Sequence, residues 1–393
     1  MDRPLSIAMF SDSALPILNG VSVSIDALIR QLREMGHSVH LFTSRYPGHS
    51  ESDPNTHRCF ALETPIAKDY PLALPPFYGQ LREFRQVEFD LVHTHTPITV
   101  GFVGLRSAES HDIPIVSTYH TLYDKYQHYI PLMPKRYLRY KVAKHTNYYY
   151  NRANQIITPS EAAAKWLHRH SVYKPITVIP TGVPNPKTFN QEETRRKLGI
   201  RPQDRVILYV GRIALEKNVG LLIEMAQIAM KRDPQLRLWL VGDGPAKETF
   251  RKQARELGIG DRVKFVGFVD RPDVDQYYVA ADIFVFSSMT ETQGLVVVEA
   301  MTYGLPAIVV KGGGAGAAIE DDVNGFLVPP EAGIMADHVL NVLNDEQTYE
   351  RLSDGARHTS MQYTVSAMAE RVLSVYYRAL NTQSPIEEQV HVR

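Results

Sequence analysis

Only one of the 393 residues, Cys59, is a cysteine. That excludes an internal disulfide framework and fits a reducing compartment. A lone thiol reads as a small inert side chain rather than a nucleophile. No Cys/His cluster has the spacing of a metal site. No run of about 18 apolar residues exists, so no segment is expected to cross a membrane as a helix. Net charge is also missing, since 43 Lys and Arg balance 43 Asp and Glu. Nucleic acid is therefore not an expected partner. Met1-Asp-Arg-Pro-Leu-Ser6 leads straight into Ile7-Ala-Met-Phe10 without a signal-peptide pattern, and the expected location is the cytoplasm.

The chain does have length enough for two or three domains, and short apolar runs that alternate with helical patterns. Leu5–Phe10 is strand-like. Ile25, Leu28, Ile29, Leu32 and Met35 then recur at helical spacing, with Gly36 as the stop. Further strands are expected at Val39–Thr43, Leu91–His93, Ile113–Ser117, Ile156–Ile157 and Val178–Ile179. Pro180-Thr-Gly-Val-Pro-Asn-Pro186 breaks the rhythm, and the polar stretch up to Pro202 reads as a linker. The rhythm restarts at Val206–Val210 and continues to Phe326–Val328. The pattern predicts an α/β protein of two doubly wound domains facing across a cleft. The expected limits are 1–183 and 184–362, followed by a helix over 363–383.

Glu291-Thr-Gln-Gly-Leu-Val-Val-Val-Glu299 is the most telling segment. It follows the strand-like run Ile283–Phe286 and opens a helix that Gly304 ends. A strand, a tight turn and a helix amino terminus form an anion pocket, because the first backbone N–H groups lack helical partners. Glu291 and Glu299 would bracket that pocket and accept hydrogen bonds from hydroxyls, as a nucleotide sugar requires. The alternative is two surface glutamates. Gly211-Arg212 ends the first strand of the second half, and Lys217 follows. Two cations there would stabilise a leaving diphosphate without a metal, unless both make ordinary ion pairs. Gly242 ends the next strand, and Val266 lies where the third could flank a base.

In the first half Asn19-Gly20 offers backbone N–H groups, or is simply a turn. His120 closes a strand and points at the expected cleft; a structural histidine is the alternative. His93 and His95 alternate at another strand end with no third metal ligand evident. Lys311-Gly-Gly-Gly-Ala-Gly316 reads as a flexible loop. Residues 123–152 hold seven cations against one acid, interleaved with tyrosines. Tyr126, His128, Tyr129, Lys135, Arg136 and Arg139 suit an anionic membrane surface and a lipid acceptor; a solvated helix is the alternative.

These pieces together resemble the retaining glycosyltransferases of family 4, whose fold is called GT-B. Within that group the chain is similar to bacterial 1,2-diacylglycerol 3-glucosyltransferases. The likeness is carried by Phe10-Ser-Asp12, Asn19-Gly-Val-Ser22, His93-Thr-His-Thr96, Ser117 to Tyr123, His128-Tyr-Ile130 and Thr290 to Gly294. The resemblance implies transfer of glucose from UDP-glucose to diacylglycerol, at the inner face of the membrane. Donor contacts would come from Gly20, Gly211, Arg212, Lys217, Gly242 and Val266. Glu291, Gln293, Gly294 and Leu295 would hold the sugar, and Glu299 the ribose. His120, Arg212, Lys217 and Glu291 would act in the reaction. The final helix would return to the first domain, and no cofactor or metal is implied. Relatives often carry Pro-Glu where this chain has Ala315-Gly-Ala317. Two further readings remain: a transferase using a soluble sugar, sugar acid or phosphatidylinositol as acceptor, and an isomerase resembling UDP-sugar 2-epimerase. A sugar-nucleotide-binding regulator without turnover is a third.

Overall fold

A computed structural model of the chain describes residues 3–17, 19–64, 67–75, 77–120, 135–291 and 293–381. It contains two compact units, Met1–Gly182 with Val365–Arg393, and Val183–Thr364.

In the first unit the chain runs β1 (Ser6–Ser11), α1 (Gly20–Glu34), β2 (Ser38–Ser44) and β3 (Thr56–Cys59). An antiparallel pair follows, β4 (Ala61–Thr64) and β5 (Ala67–Ala73). Then come α2 (Tyr78–Gln86), β6 (Leu91–Thr94), α3 (Thr99–His111), β7 (Ile115–Thr118) and α4 (Lys135–Tyr150). β8 (Gln155–Thr158), α5 (Glu161–Arg169) and β9 (Ile176–Val178) complete this stretch. Seven parallel strands pair in the order β3-β2-β1-β6-β7-β8-β9. Successive residues of β1 feed opposite faces, as a strand must. Ile7 and Met9 join a core with α1, and Ala8 and Phe10 join another with α3 and α5.

The second unit starts with α6 (Gln191–Lys197), β10 (Arg205–Val210), α7 (Val219–Arg232), β11 (Leu236–Val241) and α8 (Lys247–Glu256). It continues with β12 (Val263–Gly267), α9 (Arg271–Ala280), β13 (Ile283–Phe286), α10 (Leu295–Thr302), β14 (Ala307–Val310) and β15 (Gly325–Val328). Helices α11 (Ala332–Asn344) and α12 (Glu346–Ser360) close it, before α13 (Val365–Asn381) returns to the first unit. Its six parallel strands are ordered β12-β11-β10-β13-β14-β15. Their residues are apolar almost throughout, as expected of strands covered on both faces.

The linker reading fails within 187–202. Asn190 Oδ1 accepts from Glu193 N at 2.9 Å and starts α6. The Arg195 guanidinium donates to Ala280 O at 2.7 Å and pairs with Asp282, so this charged helix is anchored to the sheet. The sequence pattern missed it because the anchor lies 85 residues away.

α13 packs on the first unit through Met368, Ala369, Val372, Val375 and Tyr376. The Tyr376 hydroxyl lies 2.7 Å from His93 Nδ1 in the core. Tyr376→Phe should therefore destabilise the first unit by about 1–3 kcal/mol, the cost of stranding a buried polar group. Urea denaturation followed by circular dichroism measures this; an unchanged midpoint would show that the contact does not hold the helix.

Candidate functional site

Each sheet reverses its strand order once, between β10 and β13 in the second unit and between β1 and β6 in the first. Ligands of open parallel sheets bind outside the carboxyl ends of the strands at such a reversal. In the second unit both flanking strands run into the segments singled out above. Tyr209 of β10 is buried, and its hydroxyl donates to Arg212 O at 3.1 Å, holding the Gly211-Arg212 turn. The Arg212 side chain is exposed and makes no ion pair or hydrogen bond among the described residues. Lys217 sits on the next turn, and Ser287 Oγ donates to its carbonyl at 2.8 Å. The Lys217 ammonium pairs with the carboxylate of Glu291. Two residues 74 positions apart thus meet at the reversal.

Backbones crowd here. Gly242, at φ 129°, follows β11 and donates its N–H to Gly267 O at 2.8 Å. A Cβ at Gly242 would stand 2.0 Å from Gly211 O, which no side chain tolerates. Val266 is half-buried near the end of β12, and Phe268 beyond it is 71 % exposed.

Gly294, at φ 71°, is the N-cap of α10 and, as a glycine, brings no side chain to cap that helix. A helix amino terminus that opens on glycine is of the kind that suits an anion. Leu295 opens the helix, and Gln293 beside it is buried. A Cβ on Gly294 would lie 2.5 Å from that of Ala315. Ala315 belongs to a 3-10 turn, Gly314–Ala318, and is fully buried. Gly314 N donates to Glu291 O at 2.9 Å. The stretch expected to be a flexible loop is therefore a packed turn that supports the glutamate segment. Its alanines and glycines fit because the backbones approach so closely.

Glu299 is 6 % exposed, and its carboxylate turns toward α9. Arg271 grips it with two N–H groups, one at 2.9 Å, and Tyr278 Oη donates at 2.8 Å. Glu299 and Glu291 thus each hold a cation, Arg271 and Lys217 respectively. Arg271 and Tyr278 were not legible in the sequence, since nothing local links them to Glu299.

The reversal in the first unit is closed. Asp12 Oδ1 accepts from Val100 N at 2.8 Å, and Oδ2 from Gly101 N at 3.3 Å and Thr96 Oγ1 at 2.6 Å. Its carboxylate fills the amino terminus of α3. Burial raises its pKa, and these hydrogen bonds work against that rise. Asn19 caps α1 by accepting from Val21 N and Ser22 N, both at 2.9 Å, which leaves Gly20 exposed ahead of them.

His93 of β6, His95 just past it and His120 just past β7 form a ladder. His93 meets Tyr376 and Thr118, each at 2.7 Å, and its ring centroid lies 3.9 Å from that of His95, with the rings tilted by 39°. His95 Nδ1 lies 3.1 Å from His120 Nε2. Burial holds His93 down to about 3 and His120, which keeps some surface in solvent, to about 4. All three rings are neutral at pH 7. Among the described residues no group of three or more His, Cys, Asp or Glu could hold a metal. Cys59 is buried, and burial pushes its thiol up to about 12, far from a reactive thiolate.

Tyr126, His128 and Tyr129 lie outside the described residues, as do the side chains of Lys135 and Arg139. Arg136, Tyr137 and Tyr140 of α4 are exposed. Tyr149 and Tyr150 are not interfacial, as the sequence suggested, but core residues packed with Tyr119 and Phe102. They fall on the inner face because α4 is helical and its faces separate.

Two family profiles match this architecture, "Glycosyltransferase Family 4" over residues 18–185 and "Glycosyl transferases group 1" over residues 190–359. The α-monoglucosyldiacylglycerol synthase of Acholeplasma laidlawii is 30% identical over 95% of this chain and 96% of its own. That of Streptococcus pneumoniae is 32% identical over 77% of this chain and 70% of its own. HepE of Anabaena, solved in complex with UDP, superimposes with a TM-score of 0.75 at 21% identity, covering 95% of this chain and 100% of that one. The chain belongs to the family 4 glycosyltransferases.

It is a sugar-transferring enzyme of GT-B fold, with two Rossmann-like units. No helix among the described residues of this glycosyltransferase is long and apolar enough to cross a membrane. Its histidine ladder makes stability depend on pH with a definite sign. An unfolded histidine titrates near 6.5, so below that pH the unfolded chain binds protons that the folded one refuses. Stability must fall as pH drops from about 6.5 toward 4. In His120→Asn the fall should be shallower than in the wild type by about 1.4 kcal/mol per pH unit. Denaturant titrations at several pH values test this, and equal slopes would mean that the His120 imidazole titrates normally in the fold.

Proposed function

We propose that the enzyme transfers glucose from UDP-glucose to 1,2-diacylglycerol with retention of the anomeric configuration. The observation that carries the reading is the open reversal in the second unit. There a helix amino terminus that opens on glycine, an Arg212 with no ion pair among the described residues and the Lys217–Glu291 pair lie around glycine-lined strand ends. Such a place accepts a diphosphate. The two relatives named as α-monoglucosyldiacylglycerol synthases support glucose and diacylglycerol as the partners. The HepE complexes with UDP and with UDP-glucose support the donor.

In this mechanism the amides that open α10 take the diphosphate, and Arg212 and Lys217 neutralise the charge that grows as it leaves. Glu291 positions Lys217 and faces the sugar. Glu299, oriented by Arg271 and Tyr278, accepts from the ribose hydroxyls through its remaining lone pairs. The bond from the anomeric carbon to the diphosphate oxygen breaks, and the acceptor oxygen bonds to the same face of that carbon. The acceptor's proton passes to the departing diphosphate. Catalysis then comes from positioning and fixed positive charge rather than from a covalent nucleophile or a metal. His120, neutral and backed by His95, would donate or accept a hydrogen bond at a sugar hydroxyl. The exposed cations and tyrosines of α4 would meet an anionic membrane, so that the enzyme works peripherally at its cytoplasmic face.

Incubation of the enzyme with a panel of nucleotide sugars, with and without diacylglycerol or soluble acceptors, tests this reading. Formation of α-glucosyldiacylglycerol, identified by mass and NMR analysis, is expected. A product formed from the donor alone would indicate an isomerase instead. Lys217→Ala should lower turnover by about 10²–10³, as loss of one preorganised charge does, while UDP-glucose binding weakens far less. Unchanged turnover would remove Lys217 from the reaction.

A further inference from the structure

A groove of ≈ 880 Å3 lies in the first unit between α2 and α3, away from the residues assigned above. α3 is 13 residues long, or about 20 Å, and the groove follows it from Ile98 to His111. Both helices lead from the carboxyl edge of the sheet to its amino edge, and Phe84 meets His111 at 5.4 Å near their carboxyl ends. The two ends of the groove differ in chemistry. Phe77, Leu81, Phe102 and Val103 wall the end nearest β6's carboxyl terminus. Arg85, Arg106 and His111 gather at the other. Neither arginine has an ion pair or hydrogen bond among the described residues. Acids of the same helices are engaged elsewhere, Glu83 with Arg82 and Glu109 with Arg152. Ser107 lies beneath the basic end and is 3 % exposed, and its hydroxyl oxygen is enclosed without a hydrogen-bond partner among the described residues. A buried hydroxyl without a partner is rare in a native fold.

An apolar channel the length of a long acyl chain, ending in two guanidinium groups that make no ion pair among the described residues, is complementary to one class of molecule. We propose that this groove binds a free long-chain fatty acid, with its carboxylate at Arg85 and Arg106 and its tail along Phe102 and Val103. Guanidinium groups match a carboxylate in geometry as well as charge. A lipid acceptor bound for glucosylation would lie the other way round, since its polar end belongs at the carboxyl edge of the sheet. The site is therefore separate from the acceptor's, and its existence does not rest on which acceptor is used.

Titration calorimetry of the lipid-free full chain with sodium palmitate, below its micellar concentration, tests the assignment. One palmitate per chain is expected. Arg85→Gln and Arg106→Gln, both at exposed positions, should each weaken binding tenfold or more. Methyl palmitate, which keeps the chain and loses the charge, should bind at least tenfold more weakly than palmitate. Val103→Trp should block the groove; should it fail to fold, the arginine variants decide. Palmitate affinity unchanged in both arginine variants would overturn the proposal. So would equal binding of methyl palmitate, or inhibition of transfer by palmitate that is strictly competitive with diacylglycerol.

Discussion

The contact between Lys217 and Glu291 depends on one constraint, the direct pairing of β10 with β13 in a parallel sheet. Parallel strands all deliver their carboxyl ends to one edge. Where the strand order reverses, the outgoing segments part to opposite faces and leave a space. Lys217 and Glu291 are carried into that space by strands that are neighbours in the sheet and far apart in the chain. Remove the pairing and the cation, the acid and the amino terminus of α10 have no reason to meet.

The two units share this construction and use it differently. In the second, α10 starts at a glycine that offers no capping side chain. In the first, Asp12 already occupies the corresponding amino terminus. A second anion there would face a buried carboxylate at close range. On electrostatic grounds the second unit suits an anion better than the first. What the first unit offers instead is a ladder of neutral histidines. Buried imidazoles that stay neutral at pH 7 serve as hydrogen-bonding groups, and His93 ties the sheet to α13 through Tyr376.

Much of this was legible beforehand, for reasons that differ from residue to residue. The strand at Ile283–Phe286 and the helix ending before Gly304 are local patterns, and the chain obeys them. Arg212, Lys217 and Glu291 stood out in the sequence because each follows a recognisable strand. The helix at Gln191–Lys197 was missed, since its apolar content is too low to show a periodicity. It is held by Arg195 reaching Ala280 and Asp282. Glycine density at 312–316 suggested freedom, whereas the packed turn needs glycine and alanine for close approach. Tyr149 and Tyr150 looked like part of an interfacial stripe until the sheet behind α4 claimed them.

From its residues alone the chain determines a succession of strands and helices, the break near Pro180–Pro186, and the chemical groups that follow each strand. Those features depend on periodicity and turn chemistry over a few neighbouring positions. Tertiary structure decided which groups face each other: Glu299 with Arg271 across 28 residues, Lys217 with Glu291 across 74, His93 with Tyr376 across 283. It also decided which helix start stays open and which is filled. Such pairings follow from strand order and from which face a helix buries, and neither is encoded in any short stretch of sequence.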